Sequence, residues 1–169
     1  MKNLLGIVAV LVVLSSCQEN IAPESDLTGN ETTYALLSGS TYPVHGNVIF
    51  KEKKDGTTLV RVELSGTEGE LKHPVHLHLG AIASPDADIA ALLNPVFGKT
   101  GISETTLGQL ADESAISYQE LLQLDACVKI HLSSSGPDKN VILAGGNIGA
   151  AADDDLAGGR MGMRVCKSE

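Results

Sequence analysis

The sequence predicts an all-β domain, an antiparallel Greek-key β-sandwich with one short helix. Three observations lead there: short segments of alternating polarity, a glycine-bearing hairpin signal, and turn residues between the segments. Residues 44–51 and 58–65 flank Lys54-Asp55-Gly56, where glycine tolerates the positive φ of a tight turn. In the second of these strands Val60, Val62 and Leu64 alternate with Arg61 and Glu63, one buried face against one wet face. Residues 73–80 set Val75, Leu77 and Leu79 against His76 and His78. Residues 127–132 set Val128, Ile130 and Leu132 against Cys127, Lys129 and His131. Residues 140–148 are apolar and glycine-rich, and residues 160–166 place Met161, Met163 and Val165 on one side.

The helix is expected at Ser117-Tyr118-Gln119-Glu120, which has the form of a capping box, with Leu121, Leu122 and Leu124 following and Asp125 ending it. Residues 81–113 have weak periodicity and receive no assignment.

The chain begins as an exported protein does. Lys2 precedes an apolar run from Leu4 to Leu14, of secretory length and short for a membrane span of roughly 20 residues. Leu14-Ser15-Ser16-Cys17 resembles the lipobox, at which a peptidase cleaves ahead of a lipid-modified cysteine. This divides the chain into a signal peptide (1–16), a lipidated flexible tether (17–31), a β-sandwich (32–150) and a C-terminal extension with a final strand (151–169). The tether is polar, aperiodic and punctuated by Pro23, Asp26 and Gly29.

Without Lys2 the mature chain keeps 11 basic side chains against 21 acidic ones, a net charge of −10. Such a surface repels phosphate backbones, so nucleic acid is not an expected partner. With no Trp, three Tyr and two Phe, stacking platforms for sugars or bases are poorly supplied.

His76-x-His78 is the most informative chemical pattern. On a strand, residues two apart point the same way about 6.5–7 Å apart, so both imidazoles can converge on one ion. His131 lies on the polar side of its own strand, and neighbouring strands would bring three imidazoles together for copper or zinc. The alternative is three unrelated surface histidines, and spacing leaves both open. His45 and His73 read as strand-end or loop residues. Ser133, His131 and Asp125 are too close in sequence for a nucleophilic triad, and no Gly-x-Ser-x-Gly elbow exists. Asp153-Asp154-Asp155 lacks the spacing of a calcium loop and reads as a solvated acidic turn.

Taken in order, several motifs resemble the CHRD (chordin-type) domain. They are Gly46-Asn47-Val48-Ile49-Phe50, Val62-Glu63-Leu64-Ser65-Gly66-Thr67 and His73-Pro74-Val75-His76-Leu77-His78. Leu93-Asn94-Pro95-Val96, Ile116-Ser117-Tyr118-Gln119-Glu120, Val128-Lys129-Ile130-His131 and Gly146-Asn147-Ile148-Gly149 continue the series. The first half is also similar to Cu,Zn superoxide dismutase, so the sandwich implied is of the immunoglobulin or superoxide-dismutase kind. By that similarity His76, His78 and His131 fall on copper positions. No histidine lies between His78 and His131, so the imidazole bridging copper and zinc is missing. The resemblance implies a membrane-anchored, extracytoplasmic, non-enzymatic binding module for an undefined protein or small ligand. Its alternative is a copper-binding or residual dismutase-like protein. Lipid on Cys17 would tie it to the membrane, and Gln18 after that cysteine favours the outer membrane, on its periplasmic or surface face. Cys127 stands where the CHRD pattern has an aromatic residue, and Cys166 lies beyond the matched region. With Cys17 lipidated, these two thiols are left in an oxidising compartment and are expected to form a disulfide.

Overall fold

A computed structural model describes residues 25–84 and 87–157, together with the backbone of 165–166. The expected signal peptide, Cys17 and most of the expected tether lie outside the described residues.

Nine strands are described: β1 (Leu27–Ser38), β2 (His45–Lys53), β3 (Thr58–Ser65), β4 (Lys72–Leu79), β5 (Ile89–Phe97), β6 (Ile102–Leu107), β7 (Asp125–His131), β8 (Ile142–Ile148) and β9 (Val165–Cys166). Two α-helices accompany them, α1 (Tyr118–Leu121) and α2 (Gly149–Ala157), with a 3-10 turn at Pro137–Asn140. The strands follow the order β2-β3-β6-β5-β4-β7-β8-β1, all antiparallel, and β1 pairs back onto β2. An eight-stranded β-barrel results, with β9 added beside β1.

This corrects the expected sandwich. An open sandwich needs free sheet edges, and β1 removes them: it pairs with β2 from Leu27 to Leu36, then with β8 through Leu37 and Ser38. Thr32, Tyr34 and Leu36 point into the core from β1, between the partly exposed Glu31, Thr33 and Ala35. The barrel can close here because Gly146 on β8 has no side chain; a Cβ would collide with the carbonyl of Ala35.

The β2–β3 hairpin forms where the sequence places it. Gly56 takes φ 86°, and the Asp55 carboxylate accepts from the Thr57 amide at 2.9 Å and hydroxyl at 2.6 Å. β5 and β6 occupy the stretch left unassigned. Their ladder is reduced to Phe97 opposite Ile102, since Pro95 has no amide hydrogen to donate. Asn94 spans the gap instead, its amide donating to Thr105 Oγ1 and its Nδ2 to the Glu104 carbonyl.

Inward-facing Val48, Phe50, Val62, Leu77, Val128 and Ile130 fill the barrel, each at most 1% exposed. Burying such a side chain stabilises the fold by roughly 1.5–3 kcal/mol. The expected capping box is present: Ser117 Oγ accepts from the Glu120 amide, and the Glu120 carboxylate accepts from the Ser117 amide. It orients α1 so that Tyr118 and Leu121 join the core, and the Tyr118 hydroxyl meets Thr32 Oγ1 at 2.8 Å. Asp153 and Asp154, expected in a turn, lie on α2 with their side chains exposed. The expected tether boundary falls inside β1, and the expected domain end falls inside α2.

Candidate metal centre

β4 and β7 are direct neighbours, with Leu77 opposite Val128, His76 opposite Lys129 and His78 opposite Cys127. Because opposed residues share a face, Leu77 and Val128 belong to the barrel interior while His76, Lys129, His78 and Cys127 lie on its outer wall. His131, two residues after Lys129, joins them.

The three histidines picked out by the sequence converge. Ring centroids are 4.7 Å apart for His76 and His131, 5.7 Å for His76 and His78, and 6.3 Å for His78 and His131. One nitrogen from each lies within 4.8 Å of the other two. Two irregularities sharpen what parity alone provides. The β4–β5 register shifts between Leu77 and His78, and the β7–β8 register shifts between Ile130 and His131. Bulges re-aim side chains, and here each adjoins one of the histidines.

Two loops fix the rings. His78 Nδ1 contacts the carbonyl of Ala87 at 2.8 Å, and His131 Nδ1 contacts that of Lys139 at 2.8 Å. A carbonyl only accepts, so both Nδ1 atoms carry hydrogen, and in the neutral ring the lone pair sits on Nε2. Both Nε2 atoms are buried, and among the described residues neither has a hydrogen-bond partner. The first loop is seated further along: the Ile82 amide donates to Asn147 Oδ1 at 2.6 Å, and its side chain lies over Gly145.

Burial, reinforced by the neighbouring His131 and His78, pushes His76 down to about 4. His131 is also lowered, chiefly by burial, although its bond to Lys139 opposes the shift. At neutral pH both rings present lone pairs rather than charges.

This donor set fits a metal ion of the copper or zinc class. Bonds of about 2.0–2.1 Å in a tetrahedral site put ligands roughly 3.4 Å apart, so nitrogens within 4.8 Å of one another close on one ion with a movement of up to about 1 Å each. Carbonyls hydrogen-bonded to the far nitrogens are the usual way such ligands are oriented.

His45 and His73 stay outside the cluster. His45 opens β2 and is exposed, while His73 is buried with Nδ1 at 3.2 Å from the Leu132 carbonyl. Among the described residues Cys127 has no disulfide partner; its thiol is fully buried and pushed up mainly by burial. The backbone of Cys166 pairs with Thr32, and its side chain lies outside the described residues, so the expected disulfide is not among the described contacts. Parity puts Lys129 on the polar side, and nothing in the sequence marks it as part of a site; it is 6% exposed, and Nζ donates to the Ser84 carbonyl at 2.9 Å.

A groove of about 720 Å³ opens along the loosened β5–β6 seam, lined by Leu92, Thr105 and Leu107 among others, with no titratable side chain. Comparison of the chain with protein-family models and with curated proteins finds no match in either.

Proposed function

We propose that the barrel is the metal-binding domain of a membrane-anchored, extracytoplasmic lipoprotein, and that His76, His78 and His131 hold one copper ion. What carries this reading is the pair of buried Nε2 atoms of His78 and His131, without a partner among the described residues, with their tautomers set by the Ala87 and Lys139 carbonyls. An unsatisfied buried acceptor costs about 1–3 kcal/mol, and a metal ion satisfies both at once. Lipid anchoring rests on the apolar leader and Leu14-Ser15-Ser16-Cys17. Copper's part is to supply a Lewis-acidic, redox-capable centre. Lacking a bridging histidine, the protein is a copper binder with at most a residual dismutase rate.

A second reading, a CHRD-type binding module for a protein or small ligand, is favoured by the uncharged groove at the β5–β6 seam, where Leu92 is 70% exposed. Titrating Cu(II) into the mature protein and its His78→Ala variant separates the two. One equivalent taken up by the wild type, and at least about tenfold weaker uptake by the variant, supports the copper site. Equal, weak uptake by both leaves the binding module.

A further inference from the structure

The chain between β4 and β5 crosses the outer wall that carries the imidazoles. On that wall His78 lies opposite Cys127 and Cys127 opposite Asn147, while His76, Lys129 and Gly145 form the next row. Residues 80–84 leave β4 over these rows. The Gly80 amide donates to the Asp125 carbonyl at 2.7 Å, and the Ile82 amide to Asn147 Oδ1 at 2.6 Å. The Ile82 side chain uses the space that Gly145 leaves open, since a Cβ there would stand 2.8 Å from Ile82 Cδ1. Lys129 Nζ then donates to the Ser84 carbonyl at 2.9 Å. The chain rejoins the sheet at Ala87, whose carbonyl meets His78 Nδ1, and at Asp88, whose carbonyl accepts from the Leu79 amide at 2.9 Å.

These contacts make a strap. The outer wall of a barrel ordinarily faces water, yet Cys127 is fully buried and Lys129 is 6% exposed. The strap touches both ends of the row His78–Cys127–Asn147, and so passes over the cysteine between them. Two residues outside the described set separate Ser84 from Ala87, so an anchor at Ser84 limits how far the Ala87 carbonyl can travel.

We propose that Lys129 and Asn147 are positioning residues for the metal site: they anchor the strap across β7 and β8, and the anchored strap keeps the Ala87 carbonyl on His78 Nδ1, leaving Nε2 for the ion. Neither residue needs to touch the ion. The purpose of the strap rests on the metal reading above, whereas its mechanics are those of the metal-free protein. His131 is an internal control, because its Nδ1 meets the Lys139 carbonyl of a different loop. The competing account is that the Leu79–Asp88 bond and the β4–β5 ladder, which sets His78 opposite Ile89, hold Ala87 unaided.

Long-range ¹H–¹⁵N spectra of the metal-free mature protein at pH 8 read the two rings separately. In Lys129→Met, and again in Asn147→Ala, His78 should divide its hydrogen between Nδ1 and Nε2, while His131 keeps its hydrogen on Nδ1. Lys129→Arg, which restores a donor for Ser84, should return His78 to the wild-type state. Asn147→Ala should also bind zinc at least about tenfold more weakly than wild type. His78 unchanged in one variant would strike that residue's role; His78 unchanged in both, or altered together with His131, would overturn the strap. Equal zinc affinity despite a shifted His78 would overturn its link to metal binding. Wild-type protein that takes up neither zinc nor copper would overturn the metal reading, and His78 in the variants would still decide the strap.

Discussion

The imidazoles of His78 and His131, on neighbouring strands, stand 6.3 Å apart, each with Nδ1 committed to a loop carbonyl and Nε2 buried without a partner among the described residues. The two supporting carbonyls, of Ala87 and Lys139, belong to different loops. Each loop therefore orients one ligand, and the wall between β4 and β7 sets their separation.

The depressed His76 makes stability depend on pH. Its folded value of about 4 lies below the ordinary 6.5, so the unfolded chain binds the extra proton first. In the metal-free protein this contribution is complete above pH 6.5 and is lost as pH falls towards 4. Allowing for partial exposure, the loss amounts to roughly 2 kcal/mol. Chemical denaturation of wild type and His76→Gln between pH 7 and 4 measures it. Parallel curves for the two proteins would rule it out.

Barrel closure puts Gly146 against the Ala35 carbonyl. Gly146→Ala has to push β8 away from β1 and should cost roughly 2 kcal/mol or more. Urea melts check this, and a loss below 0.5 kcal/mol would mean that the two strands do not meet there.

Cys127, buried and raised by desolvation, should be sluggish towards thiol reagents. Reaction with an aromatic disulfide reagent should be about a hundredfold slower in the folded protein than in the unfolded one. If unreduced, unfolded protein shows no thiol at all, Cys127 is bonded and the disulfide expected with Cys166 takes its place.

Cys17→Ala should leave the precursor unlipidated and uncleaved, because the diacylglyceryl acceptor is gone. Membrane fractionation and lipid labelling identical to wild type would contradict the anchor.

Much of the wall was legible in the sequence. β3, β4 and β7 alternate cleanly, so Val60, Val75 and Val128 announce which face is buried, and the same parity put His76, His78 and His131 on the opposite one. The capping box at Ser117 was equally plain. β1 was not, because its first residues, Thr28, Gly29 and Asn30, are exposed and continue the polar tether. β5 hid for another reason: its buried residues Ala90, Ala91 and Leu93 do not alternate, and Pro95 interrupts its ladder. Missing β1 meant missing closure, which is why a barrel reads as a sandwich. The bulges beside His78 and His131 leave no periodic signal, and the burial of Lys129 depends on a loop that lacks one.

The most direct measurement is a long-range ¹H–¹⁵N NMR spectrum of the imidazoles at pH 7, before and after one equivalent of diamagnetic zinc, which serves in place of copper. Metal-free His78 and His131 should appear with hydrogen on Nδ1, and zinc should shift their Nε2 resonances together with one nitrogen of His76. Nε2–H tautomers, or three rings that zinc leaves unmoved, would contradict the metal centre.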